Sequence, residues 1–251
     1  MAILRVGTSG FAYKEWKGKF YPANLRDRDW LSYYSRQFPT VEINHTFYRM
    51  PTEKAVLGWS ASVPGGFQFA LKANQAITHV RKLRDCEALL RRFLEAASVL
   101  GAEEQLGPVL VQLPPNFRAQ ADVLESFLKL RPRAFRFALE FRHPSWFEPQ
   151  VYDLLQRYQT ALGLRETDLE PAPDRLTADF TYVRLRRNTY AREELQAWRQ
   201  RFRAWVDQGV DVYVYVKHED AAQGPAYARQ LLGEAGAQPS GRPRGEVGKR
   251  T

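Results

Sequence analysis

The hydrophobic positions along this chain form short apolar runs, separated by longer stretches in which apolar residues recur every three or four positions. The short runs are bounded by turn residues and have the length of strands buried on both faces, which is typical of a parallel sheet. Eight strands are therefore predicted, over residues 3–7, 40–44, 67–73, 109–113, 137–141, 160–164, 180–185 and 211–217.

Between these runs the spacing predicts amphipathic helices. The pattern is clearest over residues 86–100 and 195–205, where apolar side chains follow one another at intervals of three and four. Weaker helical patterns cover residues 30–38, 53–63, 121–130, 151–158 and 226–232. Residues 165–176 show no such period, and we interpret them as a loop.

Strict alternation of eight strands with helices over 251 residues predicts a single (β/α)8 TIM-type barrel of the α/β class. A doubly wound open sheet is the alternative, but such a sheet usually carries G-x-G-x-x-G after its first strand. Here that turn reads GTSGF (7–11), which favours the barrel. We predict a barrel domain over residues 1–235 and a flexible basic tail over 236–251, because the tail is rich in Gly, Pro and Arg.

The composition is that of a globular chain, with 44% hydrophobic and 26% charged residues. A single cysteine, Cys86, excludes an intramolecular disulfide framework and a multi-cysteine zinc site. No apolar run approaches the roughly 18 residues of a membrane helix, and the start of the chain lacks a signal-peptide pattern. We therefore expect a cytoplasmic protein with no membrane partner.

The formal net charge is +9, and most of the 37 basic residues are arginines. This balance suggests a nucleic-acid or phosphate partner, although genomic base composition can produce the same arginine bias. The excess is concentrated in the tail and in residues 184–203, which carry seven arginines and two glutamates. The distribution favours a localised anion site. Nucleic acid bound through the basic tail and the barrel mouth is the alternative partner.

Polar residues stand at the C-terminal ends of the predicted strands, the face on which active sites of this fold lie. Because side chains alternate between the two faces of a strand, their apolar neighbours would pack against helices and the polar set would face the barrel axis. Charges inside a barrel are costly unless paired, so the set forms either a structural ion network or a functional pocket. Its members are Glu42, Asn44, Lys72, Gln112, Glu140, Arg142, Arg184, Arg186 and Lys217.

Three of these residues are the candidate catalytic groups. Glu42 or Glu140 would act as general acid or base, and Lys72 would stabilise developing negative charge. The two glutamates could also form the carboxylate pair of a glycoside hydrolase, and the distance between their carboxyl groups would distinguish these mechanisms.

A candidate anion corner follows the last two strands. Arg184 and Arg186 end strand seven, and Gly224 and Pro225 open the helix after strand eight. The loops after strands seven and eight and a nearby helix N-terminus form the usual phosphate position in this fold. Arginine binds phosphate or carboxylate through two parallel hydrogen bonds. The sequence therefore predicts an anionic ligand at this corner.

Histidines and aromatic residues near strand ends complete the candidates. All four histidines lie there, but no H-x-x-x-H or H-E-x-x-H spacing supports a metal site, so we predict neither a metal nor a cofactor. The aromatic rings suit either stacking on a sugar or base, or packing of the loops over the barrel. The predicted ligand-binding set is Asn44, Tyr48, His79, Gln112, Arg142, His143, Trp146, Arg184, Arg186, Lys217 and His218.

Motifs at these same strand ends carry a family resemblance. They read VGTSGF (6–11), FYP (20–22), VEIN (41–44), TFY (46–48), FALK (69–72), QLPP (112–115), EFRH (140–143), YVRL (182–185) and VYVY (212–215). Over roughly residues 3–232 the chain resembles domain-of-unknown-function family 72, also called YecE-like. The resemblance implies a TIM-type barrel and no particular reaction.

Two positions depart from that family pattern. After strand seven the family tends to read R-L-H-G, whereas Arg186 and Arg187 stand here in place of the histidine and glycine. After strand eight the family usually has an Asn-rich turn, whereas this chain reads KHED (217–220). Both departures fall at the candidate anion corner, where they could accompany an altered ligand.

Four functions are consistent with the sequence. The first is an enzyme of hydrolase or lyase type that acts on an anionic ligand, such as a phosphorylated sugar or a nucleotide-like compound. A glycoside hydrolase with Glu42 and Glu140 as its carboxylate pair is the second. Nucleic-acid binding or processing is the third. A barrel that binds a partner without catalysis also fits, because a fold does not fix a function.

Overall fold

In the computed structural model, which describes residues 1–102, 104–217 and 222–233, eight parallel strands alternate with helices. The strands are β1 (Leu4–Thr8), β2 (Thr40–Ile43), β3 (Gln68–Lys72), β4 (Leu106–Gln112), β5 (Phe137–Glu140), β6 (Ala161–Glu166), β7 (Phe180–Leu185) and β8 (Asp211–Val216). The α-helices are α1 (Trp30–Ser35), α2 (His45–Tyr48), α3 (Glu53–Ser60), α4 (Glu87–Ala102), α5 (Ala121–Lys129), α6 (Pro149–Arg157), α7 (Arg192–Asp207) and α8 (Gln223–Leu232).

The strands are hydrogen-bonded in the order β1-β8-β7-β6-β5-β4-β3-β2, so that β1 and β2 form the two edges of the sheet. A parallel bridge between Ser9 and Glu42 joins these edges at their C-terminal ends. At Gly7 the edges approach so closely that an added Cβ would overlap the carbonyl oxygen of Thr40. The sheet therefore curves into a nearly closed barrel, and the predicted (β/α)8 fold is confirmed.

Two apolar clusters pack on the two faces of the barrel sheet. Val41, Ile43, Val183 and Leu185 belong to the larger cluster that packs the strands against the helices, as their alternation predicted. The smaller cluster lines the interior and consists of Ala70, Leu110, Ala138, Ala161, Phe180, Tyr182, Tyr213 and Tyr215. Large rings on β7 and β8 face small or aliphatic residues on β3 to β6, which fills the barrel axis below the charged residues.

Most predicted elements differ from the observed ones by one to three residues at an end, and β6 and α1 are two examples. Strand β6 continues to Glu166, because Arg165 and Glu166 pair with Arg184 and Leu185 of β7. The loop predicted from residue 165 therefore begins after residue 166. Helix α1 ends at Ser35 instead of continuing to residue 38, and a turn follows in which the backbone N–H groups of Gln37 and Phe38 both bond to the carbonyl oxygen of Tyr34.

Cys86 is buried, and its thiol donates a hydrogen bond to the carbonyl oxygen of Leu83 at 3.3 Å. Burial raises the pKa of this thiol to about 11. Cys86 thus behaves as a small buried apolar residue. None of the helices in the described part of the chain combines the length and the apolar character that crossing a bilayer requires. The predicted tail, residues 236–251, lies outside the described residues.

Candidate functional site

Arg184 joins two buried carboxylates at the C-terminal end of the barrel. Its Nη2 lies 2.8 Å from Oε1 of Glu42 on β2, and its Nη1 lies 2.9 Å from Oε2 of Glu140 on β5. Neither glutamate side chain is exposed to solvent, and that of Arg184 is 3% exposed. The two attractions outweigh burial and raise the pKa of the guanidinium well above its ordinary value. Arg184 therefore stays charged and bridges three strands.

Among the described residues, four side chains donate hydrogen bonds to Glu42. Besides Arg184, Ser9 donates through Oγ and Asn44 through Nδ2 at 3.0 Å to Oε1, while the Tyr182 hydroxyl donates to Oε2 at 2.7 Å. Burial acts to raise the pKa of this carboxyl, but Arg184 and the hydrogen bond from Ser9 outweigh it and hold the pKa at about 2. Glu42 is therefore ionised at neutral pH, with its lone pairs directed to donors.

Glu140 is surrounded by guanidinium groups. Arg142 donates to its Oε1 through Nε at 2.6 Å, and Nε of Arg165 lies 3.9 Å from the same oxygen. Burial again opposes ionisation, yet Arg184 and Arg142 lower the pKa of Glu140 below its ordinary value. The amide oxygen of Gln112 lies 3.5 Å from Nη1 of Arg184, which places Gln112 beside the pair.

Glu42, Glu140, Arg184 and the polar side chains around them form a charged layer at the C-terminal end of the barrel. Two cations of this charged layer have no carboxylate partner among the described residues. Nζ of Lys72, at the end of β3, lies 4.1 Å from the centroid of the Phe47 ring. Burial and repulsion from Arg184 lower the pKa of Lys72 to about 8. Nη1 of Arg186 lies 3.4 Å from Oγ of Ser9, and the same two causes lower the pKa of Arg186 to about 10.

The site therefore carries an excess of positive charge. Its carboxylates belong to Glu42 and Glu140, whereas the cations belong to Lys72, Arg142, Arg165, Arg184 and Arg186. Arg165 also forms an ion pair with Glu170 in the loop after β6. Because both carboxylates are paired with arginines of the site, its net charge is positive and can attract an anion.

His79 and His143 stand in loops over this end of the barrel. His79 shares a hydrogen bond with Thr78 through Nδ1 and packs edge-on against Phe47, and burial together with Lys72 and Arg142 lowers its pKa. Nδ1 of His143 accepts the backbone N–H of Ser145 and thereby caps a turn of 3-10 helix (Pro144–Trp146). His79 thus lies beside the charged cluster, while His143 orders a loop.

Three other predicted site residues have contacts outside the ion pairs of Arg184. The Trp146 indole is fully buried, stacks on Phe141 and donates to the carbonyl oxygen of Phe117, so it packs a loop against the core. Tyr48 is 68% exposed and contacts Phe47 with its ring edge. Nζ of Lys217 donates to Asn188 in the loop after β7.

The anion corner is described only in part. Arg184 and Arg186 lie as predicted at and after the end of β7, and α8 begins at Gln223, directly before Gly224 and Pro225. His218 and the rest of residues 218–221 lie outside the described residues. Within the described ranges, no group of three His, Cys, Asp or Glu side chains could hold a metal ion.

Sequence reasoning missed three residues of the cluster: Ser9, Tyr182 and Arg165. Tyr182 precedes Arg184 by two positions on β7, so the same alternation that selected Arg184 would have selected it. Arg165 was missed because β6 was predicted to end one residue before it. Only the close approach of β1 to β2 brings Ser9 to Glu42, and no local pattern indicates that contact.

A model of the family described as "Protein of unknown function DUF72" matches residues 5–247. The chain belongs to the DUF72 family. Two similar proteins are UPF0759 protein YecE of Escherichia coli O157:H7, which is 28% identical over 84% of this chain and 89% of its own length, and UPF0759 protein YunF of Bacillus subtilis (strain 168), which is 23% identical over 92% and 94%.

A solved DUF72 structure has the same fold. The crystal structure of a DUF72 family protein from Thermotoga maritima MSB8 superposes with a TM-score of 0.82 and 27% sequence identity, over 92% of this chain and 98% of that one. The family resemblance seen in the strand-end motifs is thus confirmed. In this DUF72 chain, those motifs contribute Glu42, Lys72, Glu140 and Arg184 to one charged layer.

Proposed function

We propose that this protein is an enzyme that binds a small anionic molecule, such as a phosphorylated sugar or a nucleotide-like compound, at the C-terminal mouth of the barrel. One observation carries the proposal: Lys72 and Arg186 are half-buried cations without a carboxylate partner among the described residues. Burial penalises both positive charges, and a bound anion would offset that penalty.

In this proposal the two glutamates position Arg184, and the ligand contacts the cations above it. Glu140 accepts a hydrogen bond from Nη1 of Arg184 and Glu42 accepts one from Nη2, and together these bonds fix the orientation of the guanidinium group. Arg142 and Arg186, which follow the ends of β5 and β7, are less buried than Arg184. Guanidinium groups in fixed positions recognise the planar oxygens of carboxylate and phosphate.

Glycoside hydrolysis receives less support from this arrangement. Its general acid must carry a proton at the working pH, usually through a raised pKa. With a pKa of about 2 for Glu42, only about one carboxyl in 10⁵ is protonated at pH 7. The pKa of Glu140 is lowered as well, and one arginine bonds both groups directly. These contacts favour positioning roles for both carboxylates.

Thermal unfolding with candidate ligands tests the proposal. Inorganic phosphate, a hexose phosphate and a nucleoside monophosphate are compared with the unphosphorylated sugar and nucleoside at constant ionic strength. A ligand at one hundred times its Kd adds about 2.7 kcal/mol to the free energy of unfolding. For a domain of this size, that stabilisation raises Tm by roughly 5–10 °C.

Two variants that remove the same charge localise the effect. Arg186→Gln removes a cation of the site, whereas Arg203→Gln removes one from the exposed face of α7. We expect the phosphate-dependent rise in Tm to disappear in the first variant and to persist in the second. An equal rise in both variants, or with chloride alone, would refute the anion site. A gel shift of DNA or RNA that Arg186→Gln abolishes would instead favour nucleic acid as the ligand.

A further inference from the structure

Lys72 is placed unlike a lysine that serves as a simple counter-ion. It ends β3 on the face that points to the barrel axis, and Nζ lies against the Phe47 ring at 4.1 Å from the centroid. Within the described residues no carboxylate oxygen lies at ion-pairing distance from this amine. Glu42 and Glu140 belong to the same layer, but Arg184 lies between them and bonds both.

The charges around Lys72 favour its neutral amine. Arg184 and Arg186 of β7 repel a positive charge there, whereas Glu42 of β2 and Glu140 of β5 attract it from behind Arg184. Burial is the largest contribution, and the resulting pKa is about 8. At pH 7 about one Lys72 in ten is then neutral, compared with roughly one in two to three thousand for an ordinary lysine amine.

An imidazole stands beside this amine. His79 packs its ring edge-on against the same Phe47 ring whose face carries Nζ of Lys72. Burial, Lys72 and Arg142 lower the pKa of His79, which favours its uncharged form. Its hydrogen bond with Thr78 through Nδ1 fixes the ring plane and leaves Nε2 available to exchange a proton.

We propose that Lys72 is a nucleophile that forms an imine with a carbonyl group of the bound anion, and that the ligands of this site are therefore anionic aldehydes or ketones. The inference rests on the proposed function, because the anion must first be held by the arginines of the mouth. An amine that is desolvated and free of a carboxylate partner meets the requirement of this chemistry.

The reaction is balanced with groups of this site and water. The lone pair of Nζ attacks the carbonyl carbon, and the electrons of the C=O π bond move to oxygen, which takes up a proton from solvent water. Nitrogen loses a proton to His79, and a carbinolamine results. The carbinolamine oxygen then takes that proton from His79 and leaves as water, while the nitrogen lone pair forms the C=N bond of a protonated imine. One molecule of water is released, and no oxidant or reductant is required.

Pyridoxal 5′-phosphate is a suitable probe because it combines an aldehyde with a phosphate. The full chain is incubated with a limiting amount of the probe at pH 7, the imine is reduced with borohydride, and the modified lysines are mapped by peptide mass spectrometry. The chain has nine lysines, which provide internal controls. Lys54 is an exposed lysine on α3. We expect Lys72 to be modified at least about tenfold faster than Lys54, because the neutral fraction of Lys72 is much larger than that of an ordinary lysine amine.

Variants and competitors complete the experiment. Lys72→Arg keeps the charge but cannot form an imine, so we expect the fast modification to vanish; Lys54→Arg should leave it unchanged. Inorganic phosphate should protect Lys72 and leave Lys54 unaffected. Because the mapping is made on the wild-type protein, the conclusion does not depend on whether a variant folds. Modification of Lys72 no faster than that of Lys54 overturns the proposal.

Pyridoxal without its phosphate separates this proposal from the proposed function. If phosphate raises Tm but Lys72 stays unmodified, the anion site stands and the imine chemistry is wrong. Conversely, Lys72 could be modified equally fast by pyridoxal and by pyridoxal 5′-phosphate, with no protection by inorganic phosphate. That result would support the reactive amine and contradict the anion site.

Discussion

Replacing Glu42 with glutamine should destabilise the barrel, and the size of the effect can be obtained in two ways. The carboxylate accepts hydrogen bonds from Ser9, Asn44, Tyr182 and Arg184. The NH2 group of a glutamine can only donate, so it would face at least one of these donors without forming a hydrogen bond to it. Removing one partner of a buried ion pair costs about 3–5 kcal/mol.

The lowered pKa of Glu42 yields an independent figure. Its folded-state value of about 2 compares with an ordinary value of 4.5, a difference equivalent to roughly 3 kcal/mol. Because the folded pKa is the lower one, this stabilisation is present at pH 7 and is lost as the pH falls from 4.5 toward 2. The two estimates agree, so we expect Glu42→Gln to lower the free energy of unfolding by about 3–5 kcal/mol at pH 7.

Urea unfolding followed by tryptophan fluorescence measures this difference as a function of pH. The gap between the wild type and Glu42→Gln should shrink by about 1.4 kcal/mol between pH 7 and pH 3.5, because protonation removes the same charge from the wild type. Glu95→Gln on the exposed face of α4 is the matched control, with an expected change within about 0.5 kcal/mol. A gap that does not change with pH, or a variant as stable as the wild type, would refute the reasoning.

Three further predictions concern neighbouring groups. Tyr182→Phe removes the hydrogen bond to Oε2 of Glu42 and should cost about 1–3 kcal/mol in urea unfolding; no loss would mean that this contact does not stabilise the fold. Trp146→Ala should cost about 3–5 kcal/mol, because it empties a buried, stacked position, whereas Tyr48→Ala at an exposed position should change stability by less than about 1 kcal/mol; equal effects would contradict the assignment of Trp146 to the core. Lys72→Met should stabilise the barrel at pH 7 by roughly 1–3 kcal/mol, because burial in the folded state disfavours the protonated amine of Lys72. That gain should shrink as the pH rises from 8 through 10.5, where the unfolded chain also loses this proton, and a gain that is independent of pH would contradict the lowered pKa.

Period-2 alternation along the strands predicts most of the charged layer correctly. Glu42, Lys72, Glu140 and Arg184 each follow or precede an apolar residue that packs under a helix, and each faces the barrel axis as predicted. The wrong parts of the prediction also have a physical reason. Where β6 pairs with β7 beyond its apolar run, backbone hydrogen bonds extend the strand, and Arg165 becomes part of the site.

The roles of the aromatic and histidine candidates depend on the loops that carry them. Trp146 and His143 follow the same strand end, yet the first packs into the core and the second caps a short helix. Sequence proximity to a strand end says that a residue lies near the mouth of the barrel. It does not say whether the side chain turns toward the axis or back under the loop, because that choice depends on the packing partners available.

Along the chain, then, hydrophobic spacing and turn residues are sufficient to specify the eight strands, their faces and the end that bears the charges, because these are short-range properties of a periodic backbone. Pairing within the charged layer is decided by closure of the barrel. Arg184 reaches Glu42 across 142 positions and Glu140 across 44. Once those bonds form, Lys72 and Arg186 are left without a carboxylate among the described residues. Distances between strands decide which cations pair with a carboxylate and which can bind a ligand. Those distances exist only in the folded barrel.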